Sequence, residues 1–539
     1  MEQVGGGAPA PESAEFVLEK SQRLSASLIW RAQRDFYDRR GEQAWLSDRI
    51  PSYATSNALI AKSYARVVSG FLRDCARASP PLGPLDPQAP LYILEIAAGS
   101  GQFGFLFLKK LLALQRELPA LAHFSFRYVM TDLAPANVDA WRSRDVFKPF
   151  LEAGVLDFAT FDLERDQTIT LVHSGETLSA DTLHNPLALI ANYVFDSTAQ
   201  DVFWVSEGEL KEGLVTTTSS RREETALDPE VLKRVTTRYE QRPVGEEYYE
   251  DEAMNRVLAA YRTRLGNTSF LFPIGALKGI RNLIRFSGGR LLLLSGDKGH
   301  THEDELNGRG DPQMTLHSAA FSMMVNYHAI GLYFRERGGL ALHSSSRDKR
   351  LKVSAFLMGA PDSLFGETQS AFHEAVDGFG ACEYCALAAG IRKELPAPSL
   401  DVLLALFKLG EWDPYLIYHF AGPLADQAKT ASEAARRELV KALRQAWDLF
   451  YPMDKDLPFE MGRIYAGLDR HLDALRFYLE SVKLYKDHPA TLFNAGLCLY
   501  SLHRPQEALT LLEQALELRE GYAPAEEWRA RIQSELAAR

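Results

Sequence analysis

The sequence predicts an α/β domain on a Rossmann-like, seven-stranded, mostly parallel sheet with a helical insertion, followed by an all-α module of repeats. Three observations carry this. Short apolar runs alternate with helical stretches between residues 91 and 358. A glycine turn follows the first run, in Leu94-Glu95-Ile96-Ala97-Ala98-Gly99-Ser100-Gly101. Near the C-terminus, small residues recur with a period of 34.

Residues 1–15, rich in glycine and proline, are expected to be a flexible tail. From 16 to 78 the apolar residues recur at helical spacing, as in Leu59, Ile60, Tyr64, Val67 and Phe71. A proline-rich linker over 79–90 closes this N-terminal segment, since proline lacks the N–H that helices and central strands need. The domain proper is expected over 91–362. Its strands are read at 91–96, 126–130, 158–161, 187–191 and 290–294, with 340–344 and 351–358 close enough to pair antiparallel. The long stretch between the fourth and fifth strands exceeds any ordinary connection, so a helical insertion is expected at about 221–289.

Beyond 362 the pattern is helical, with a connector over 363–455 and repeats over 456–539. Gly462, Ala474, Ser481 and Leu484 recur as Gly496, Ala508, Ala515 and Leu518. Small residues at such places let paired helices approach, and 34 residues is the tetratricopeptide period. Two units are read, 457–490 and 491–524, with 525–536 as a capping helix. About three repeats are normally needed for stability, so the helices of 400–450 are expected to complete the stack.

The net charge of −11 opposes a phosphate-backbone binder, and no nucleic-acid partner is expected. Four cysteines in 539 residues suit a reducing compartment. With neither a signal-type N-terminus nor an apolar run long enough to span a bilayer, a cytoplasmic protein without membrane attachment is expected.

The chemistry centres on the glycine turn. Gly99 and Gly101 permit the sharp reversal and close ligand approach that such a strand–turn–helix unit requires. Glu95 at the strand end would repel a phosphate and suits a cationic ligand instead. Asp132 ends the second strand, where a carboxylate can accept from both hydroxyls of a ribose. Asp162 ends the third, where an acid can meet an adenine amino group. Together these acids line one crevice at the carboxyl edge of the sheet.

With these residues the sequence resembles the class I S-adenosylmethionine (SAM) dependent methyltransferases, whose sheet closes with an antiparallel pair. Ala97 stands where that family often has glycine. The resemblance implies SAM as cofactor, bound by Glu95, Ala97, Gly99, Gly101, Asp132 and Asp162. A narrower resemblance lies in Asn192-Tyr193-Val194-Phe195-Asp196, similar to the Asn-Glu-x-x-Asp signature of the MidA-like group, which includes an arginine methyltransferase needed for complex I assembly. Val202-Phe203-Trp204-Val205 with Gly208-Glu209-Leu210, Ser52-Tyr53-Ala54-Thr55-Ser56, and Asp297-Lys298-Gly299-His300 also resemble segments of that group. Tyr193 replaces the signature glutamate. Asn192 and Asp196 are the candidate catalytic residues, the first orienting a nucleophilic nitrogen and the second holding a cationic group.

The expected activity is methylation of a protein nitrogen, arginine being one candidate, with the substrate recruited by the repeats. Alternatives are a small-molecule methyltransferase, whose repeats serve docking or homodimerisation, and a non-catalytic scaffold. Three further patterns are read as structural. Glu246-Glu247-Tyr248-Tyr249-Glu250-Asp251-Glu252 is an acidic helix start, although it could recognise a basic peptide. Cys382-x-x-Cys385 is a buried helix face, and His300-Thr301-His302-Glu303-Asp304 lacks metal-site spacing, so no metal is expected.

Overall fold

Leu91–Glu95 is buried at every position, as a strand covered on both faces must be. In the computed structural model it is an inner strand of a seven-stranded sheet. The structure describes residues 15–40, 53–77, 82–83, 85–118, 125–223, 228–317, 320–395 and 397–538. All but Glu15 of the expected tail, and part of the proline-rich linker, lie outside them.

The chain divides into two units. The first comprises Met1–Thr55, Arg66–Gly104 and Ala113–Gly378, and the second comprises Ser56–Ala65, Phe105–Leu112 and Phe379–Arg539. In chain order the strands are β1 (Phe16–Arg23), β2 (Leu91–Glu95), β3 (Phe126–Asp132), β4 (Leu156–Thr160), β5 (Leu187–Asn192), β6 (Asp201–Ser206), β7 (Glu209–Ser219), β8 (Val235–Pro243), β9 (Thr268–Phe272), β10 (Leu291–Asp297), β11 (Leu340–His343) and β12 (Lys352–Met358). The helices used below are α1 (Leu28–Arg40), α2 (Ala58–Arg77), α3 (Gln102–Glu117), α4 (Pro135–Ser143), α5 (Glu252–Arg264) and α6 (Ile274–Phe286).

The main sheet has the order β11-β12-β10-β5-β2-β3-β4. β4, β3, β2, β5 and β10 are mutually parallel, with Leu94 opposite both Val129 and Leu189. β12 runs antiparallel between β10 and β11, as the closing pair was expected to do. The order turns back between β2 and β5, which opens a crevice outside their carboxyl ends.

A second, antiparallel sheet was not expected. It runs β1-β7-β6-β9, with β8 also paired to β7. Phe16–Arg23, read as helical, is therefore a strand, paired from Phe16 opposite Ser219 to Arg23 opposite Leu214. The expected insertion does carry helices, α5 and α6, but the rest of the stretch between β5 and β10 is largely β. Its hairpin matches the segment Val202–Val205 with Gly208–Leu210, and it begins near 201 rather than 221.

Within the acidic segment 246–252, Tyr248, Tyr249 and Asp251 tie the chain to the interior. Tyr249 donates to Asp201 (2.7 Å) and Tyr248 to Glu212 (2.5 Å), while both rings pack on Phe203. Asp251 caps α5 through the Ala253 N–H (3.0 Å) and accepts from Tyr333 and Arg337. These bonds engage Tyr248, Tyr249 and Asp251, while Glu246, Glu247, Glu250 and Glu252 stay exposed.

In the second unit the helices continue as α7 (Ala381–Glu394), α8 (Leu400–Leu409), α9 (Pro414–His419), α10 (Ala421–Ala428) and α11 (Glu433–Asp448). Five more follow: α12 (Leu457–Gly467), α13 (His471–Tyr485), α14 (Pro489–Ser501), α15 (Pro505–Leu518) and α16 (Ala523–Ala537). Two helix pairs and a final helix thus occupy the two repeats and the cap. Gly462, Ala474, Ser481, Gly496, Ala508 and Ala515 are buried, whereas Leu484 and Leu518 are exposed. A Cβ on Gly462 would lie 2.6 Å from the Tyr478 ring. Gly462→Val is therefore expected to destabilise this unit by about 1–3 kcal/mol, read as an earlier transition in chemical denaturation. Cys382 and Cys385 are half-buried, but Ala386 and Leu387 beside them are exposed, so that face is only partly covered. Among the described residues no helix is long and apolar enough to cross a membrane, and no group of three or more His, Cys, Asp or Glu is placed to hold a metal ion.

Candidate active site

The turn after β2 places three consecutive odd-numbered residues in the left-handed region: Ala97 (φ 53°), Gly99 (φ 54°) and Gly101 (φ 80°). Ala98 N–H bonds Thr131 O (2.9 Å) and Gly101 N–H bonds Ala98 O (2.9 Å), which closes the loop before α3. Glycine adopts this conformation freely, whereas alanine carries a cost of about 1–2 kcal/mol. That explains why glycine is frequent at position 97 in the class the sequence resembles. Glycine also has more freedom to lose on folding, so Ala97→Gly is expected to be neutral or stabilising by up to about 1 kcal/mol in urea denaturation.

Asp132, at the end of β3, braces this turn. Its Oδ2 accepts from Gly99 N–H (3.1 Å) and its Oδ1 from Ala134 N–H (3.0 Å). Burial raises its pKa, opposed by hydrogen bonds from Ala134, Asn137 and Gly99. Trp141 of α4 donates to Gly99 O (3.0 Å), fixing the turn from the other side.

A cavity of about 460 Å³ lies at the switch between β2 and β5. Ala97, Asp132 and Asp162 are on its wall, with Phe161 and Leu163 as an apolar side. Tyr193, Val194 and Ser197 form the side after β5. The remaining wall is α1, which presents Trp30, Gln33, Arg34 and Tyr37. Helical spacing puts these four on one face. Gln33 is anchored by Phe321 N–H (2.9 Å) and Trp30 by its own bond to Leu24 O (2.9 Å). Sequence reading missed this wall, although its polar and aromatic stripe at positions 30, 33, 34 and 37 was the available signal.

Asp162 is paired. Arg34 reaches its Oδ2 at 2.9 Å, while its Oδ1 accepts from Glu164 N–H (3.0 Å). It therefore meets the cavity as a carboxylate–guanidinium pair rather than as the free acid expected.

Glu95 does not line the cavity, contrary to expectation. Its carboxyl accepts from Tyr128 OH (2.8 Å), and a Cβ on Gly104 would lie 2.7 Å from it. Burial pushes its pKa up to about 8, so at neutral pH the group is mostly uncharged and does not attract a cation. The reason is strand parity. Glu95 shares its face with Leu91 and Ile93, while Tyr92, Leu94 and Ile96 take the other.

Asn192 and Asp196 also stand behind the wall. Asn192 Oδ1 accepts from Gly296 N–H (3.0 Å) on the neighbouring strand. Asp196 is buried, accepts from Ser197 Oγ–H (3.0 Å) and donates its own N–H to Asp297 Oδ2 (3.0 Å). Burial raises the pKa of both carboxyls, Asp297 further because of Asp196, while the nearby Lys298 pulls Asp196 back. Lys298 in turn donates to Ser322, which bonds His317. Tyr37 meets this network through Ser197, and burial with the Asp196 charge raises its phenol. Ser197 is thus the atom through which the buried acids reach the cavity.

The strand order, with an antiparallel strand between the fifth and sixth, is that of the class I methyltransferase fold. Residues 457–521 match the tetratricopeptide repeat family. No curated protein matches the chain. Two solved structures from Burkholderia thailandensis are similar to it. One, a COG1565 superfamily member and candidate methyl transferase bound to S-adenosyl-homocysteine, is 13% identical, covers 64% of this chain and 91% of its own, and gives a TM-score of 0.39. The other, an uncharacterized COG1565 superfamily protein, is 12% identical over 64% of this chain and 95% of its own, with a TM-score of 0.36.

Proposed function

We propose that this chain is a SAM-dependent methyltransferase whose cofactor occupies the cavity bounded by Ala97, Asp132 and Asp162. The observation that carries the reading is the coincidence of the strand order, the Asp132-braced left-handed turn and a cavity at the switch point. A volume of about 460 Å³ lies within the range of small-molecule sites. Asp132 faces the cavity where ribose hydroxyls would lie, Phe161 and Leu163 offer an apolar wall for a base, and Ala97 presents the turn to the cavity. The cofactor supplies a methyl group on a sulfonium, open to in-line displacement by a lone pair. The chain supplies positioning and exclusion of water. α1 covers the cavity, Tyr193 and Ser197 border the side where an acceptor would enter, and Asp196 acts as a positioning residue by holding Ser197 Oγ.

The acceptor we propose is a protein nitrogen, with arginine as the group implied by the MidA-like resemblance and the repeats as the module that binds the protein. A second reading, a scaffold that binds SAM without transfer, is favoured by Tyr193 at the signature glutamate position and by the engagement of Asn192 with Gly296. Incubating the full chain with tritiated-methyl SAM and cell lysate separates these readings. Label in protein, released as methylated arginine on hydrolysis, is the expected result. Label only in small molecules would move the reading to a metabolite acceptor. SAM binding without any label would leave the scaffold.

A further inference from the structure

We propose that α11, with the start of α13, forms a docking surface for an acidic protein segment. The inference deepens the reading of the repeats as a protein-binding module and rests on it. A groove of about 590 Å³ in the second unit is lined by five cationic side chains, Arg436, Arg437, Lys441, Arg444 and Arg470, and one carboxylate, Glu433. Val440 and Leu468 give it an apolar floor.

Two of the five cations are engaged by the fold. Arg436 bonds Leu468 O (3.1 Å) and lies 3.4 Å from Asp469, and Arg470 pairs with Asp473 at 2.6 Å. The other three, Arg437, Lys441 and Arg444, are exposed, and none of them makes an ion pair among the described residues, Arg444 meeting only the Tyr465 hydroxyl. They are spaced i, i+4, i+7 and so share one face of α11. At 1.5 Å rise per residue they span roughly 10 Å. An extended chain brings same-side carboxylates past every ~7 Å, so two or three acidic side chains can meet this row.

Like charges at these spacings repel, which costs a few tenths of a kcal/mol per pair when no anion is present. Against a net charge of −11 for the whole chain, α11 carries four cations, Arg436, Arg437, Lys441 and Arg444, and three carboxylates, Glu433, Glu438 and Asp448. That same net charge opposes a nucleic-acid duplex or strand, whose affinity comes from many phosphate contacts. A short acidic peptide is subject to less of this repulsion and gains the row directly.

The test is fluorescence anisotropy of labelled octaglutamate with the full chain, against R437E/K441E/R444E and the charge-retaining R437K/R444K. Saturable binding is expected, weakened by at least about tenfold in the reversal variant and by added salt, and kept in the lysine variant. A neutral variant, R437Q/K441Q/R444Q, carries the same expectation should reversal disturb the fold. Absence of binding, equal affinity in wild type and variants, or stronger competition by an oligothymidylate than by unlabelled octaglutamate would overturn the proposal. SAM binding by the neutral variant is expected to match wild type, so failure here is distinguishable from failure of the cofactor reading.

Discussion

Asp132→Ala is expected to weaken SAM binding by about a hundredfold or more, with the chain still folded. The carboxylate has two tasks at once. It accepts from Gly99 and Ala134 N–H, at 3.1 and 3.0 Å, and it faces the cavity where ribose hydroxyls are proposed to bind. Hydrogen bonds to a charged group contribute about 1.5–3 kcal/mol each, so losing the ligand bonds alone accounts for a hundredfold. The freed N–H groups also loosen a turn that holds a left-handed alanine, which makes the preformed site less populated. Asp132→Asn keeps one carbonyl acceptor and is expected to fall between alanine and wild type. Circular dichroism and a denaturation curve establish folding, and calorimetry measures affinity. Wild-type affinity in the alanine variant would remove Asp132 from the site.

The second large effect concerns pH. Glu95 is held protonated by burial, with a pKa of about 8 against an ordinary 4.5. A carboxyl whose folded pKa lies above its unfolded value binds its proton more tightly in the folded state. Its contribution is therefore full below about 4.5, declines as pH rises towards about 8, and is lost above that. At about 1.4 kcal/mol per pH unit, the decline across this window is on the order of 3–5 kcal/mol. Denaturation of the sheet-bearing unit is expected to become easier from pH 5 to pH 9. Glu95→Gln keeps an acceptor for Tyr128 and cannot ionise, so its stability is expected to be flatter over that range. An unchanged pH slope in the glutamine variant would contradict this account of Glu95.

The readable parts of the fold were those with local signals. Buried parallel strands such as Leu91–Glu95 show as continuous apolar runs, and the repeats show through the recurrence of Gly462 at Gly496. β1 escaped because its partner lies near residue 215, and its apolar content alone does not separate strand from helix. The strands of the insertion escaped for the same reason, since their sheet is assembled from distant segments.

At the site, Asp132 and Asp162, read from their positions at strand ends, and Ala97, read from the family resemblance of the turn, are on the cavity wall. Glu95, Asn192 and Asp196 were drawn to the crevice by the same reasoning and lie behind it, and Gly99 and Gly101 shape the turn without lining the cavity. Strand parity alone would have moved Glu95 to the covered face. Nothing local could have shown that Gly296 engages Asn192, or that Arg34, 128 positions away, pairs with Asp162. Tyr37 reaches the Asp196 network through Ser197, a contact that only tertiary structure sets.

The central claim is that the cavity between the Gly99 turn and α1 holds SAM. Titrating the full chain with SAM in a calorimeter tests it most directly. Saturable one-to-one heat, lost in Asp132→Ala and kept in Ala97→Gly, is the predicted result. The absence of saturable heat from the folded wild-type chain would contradict the account.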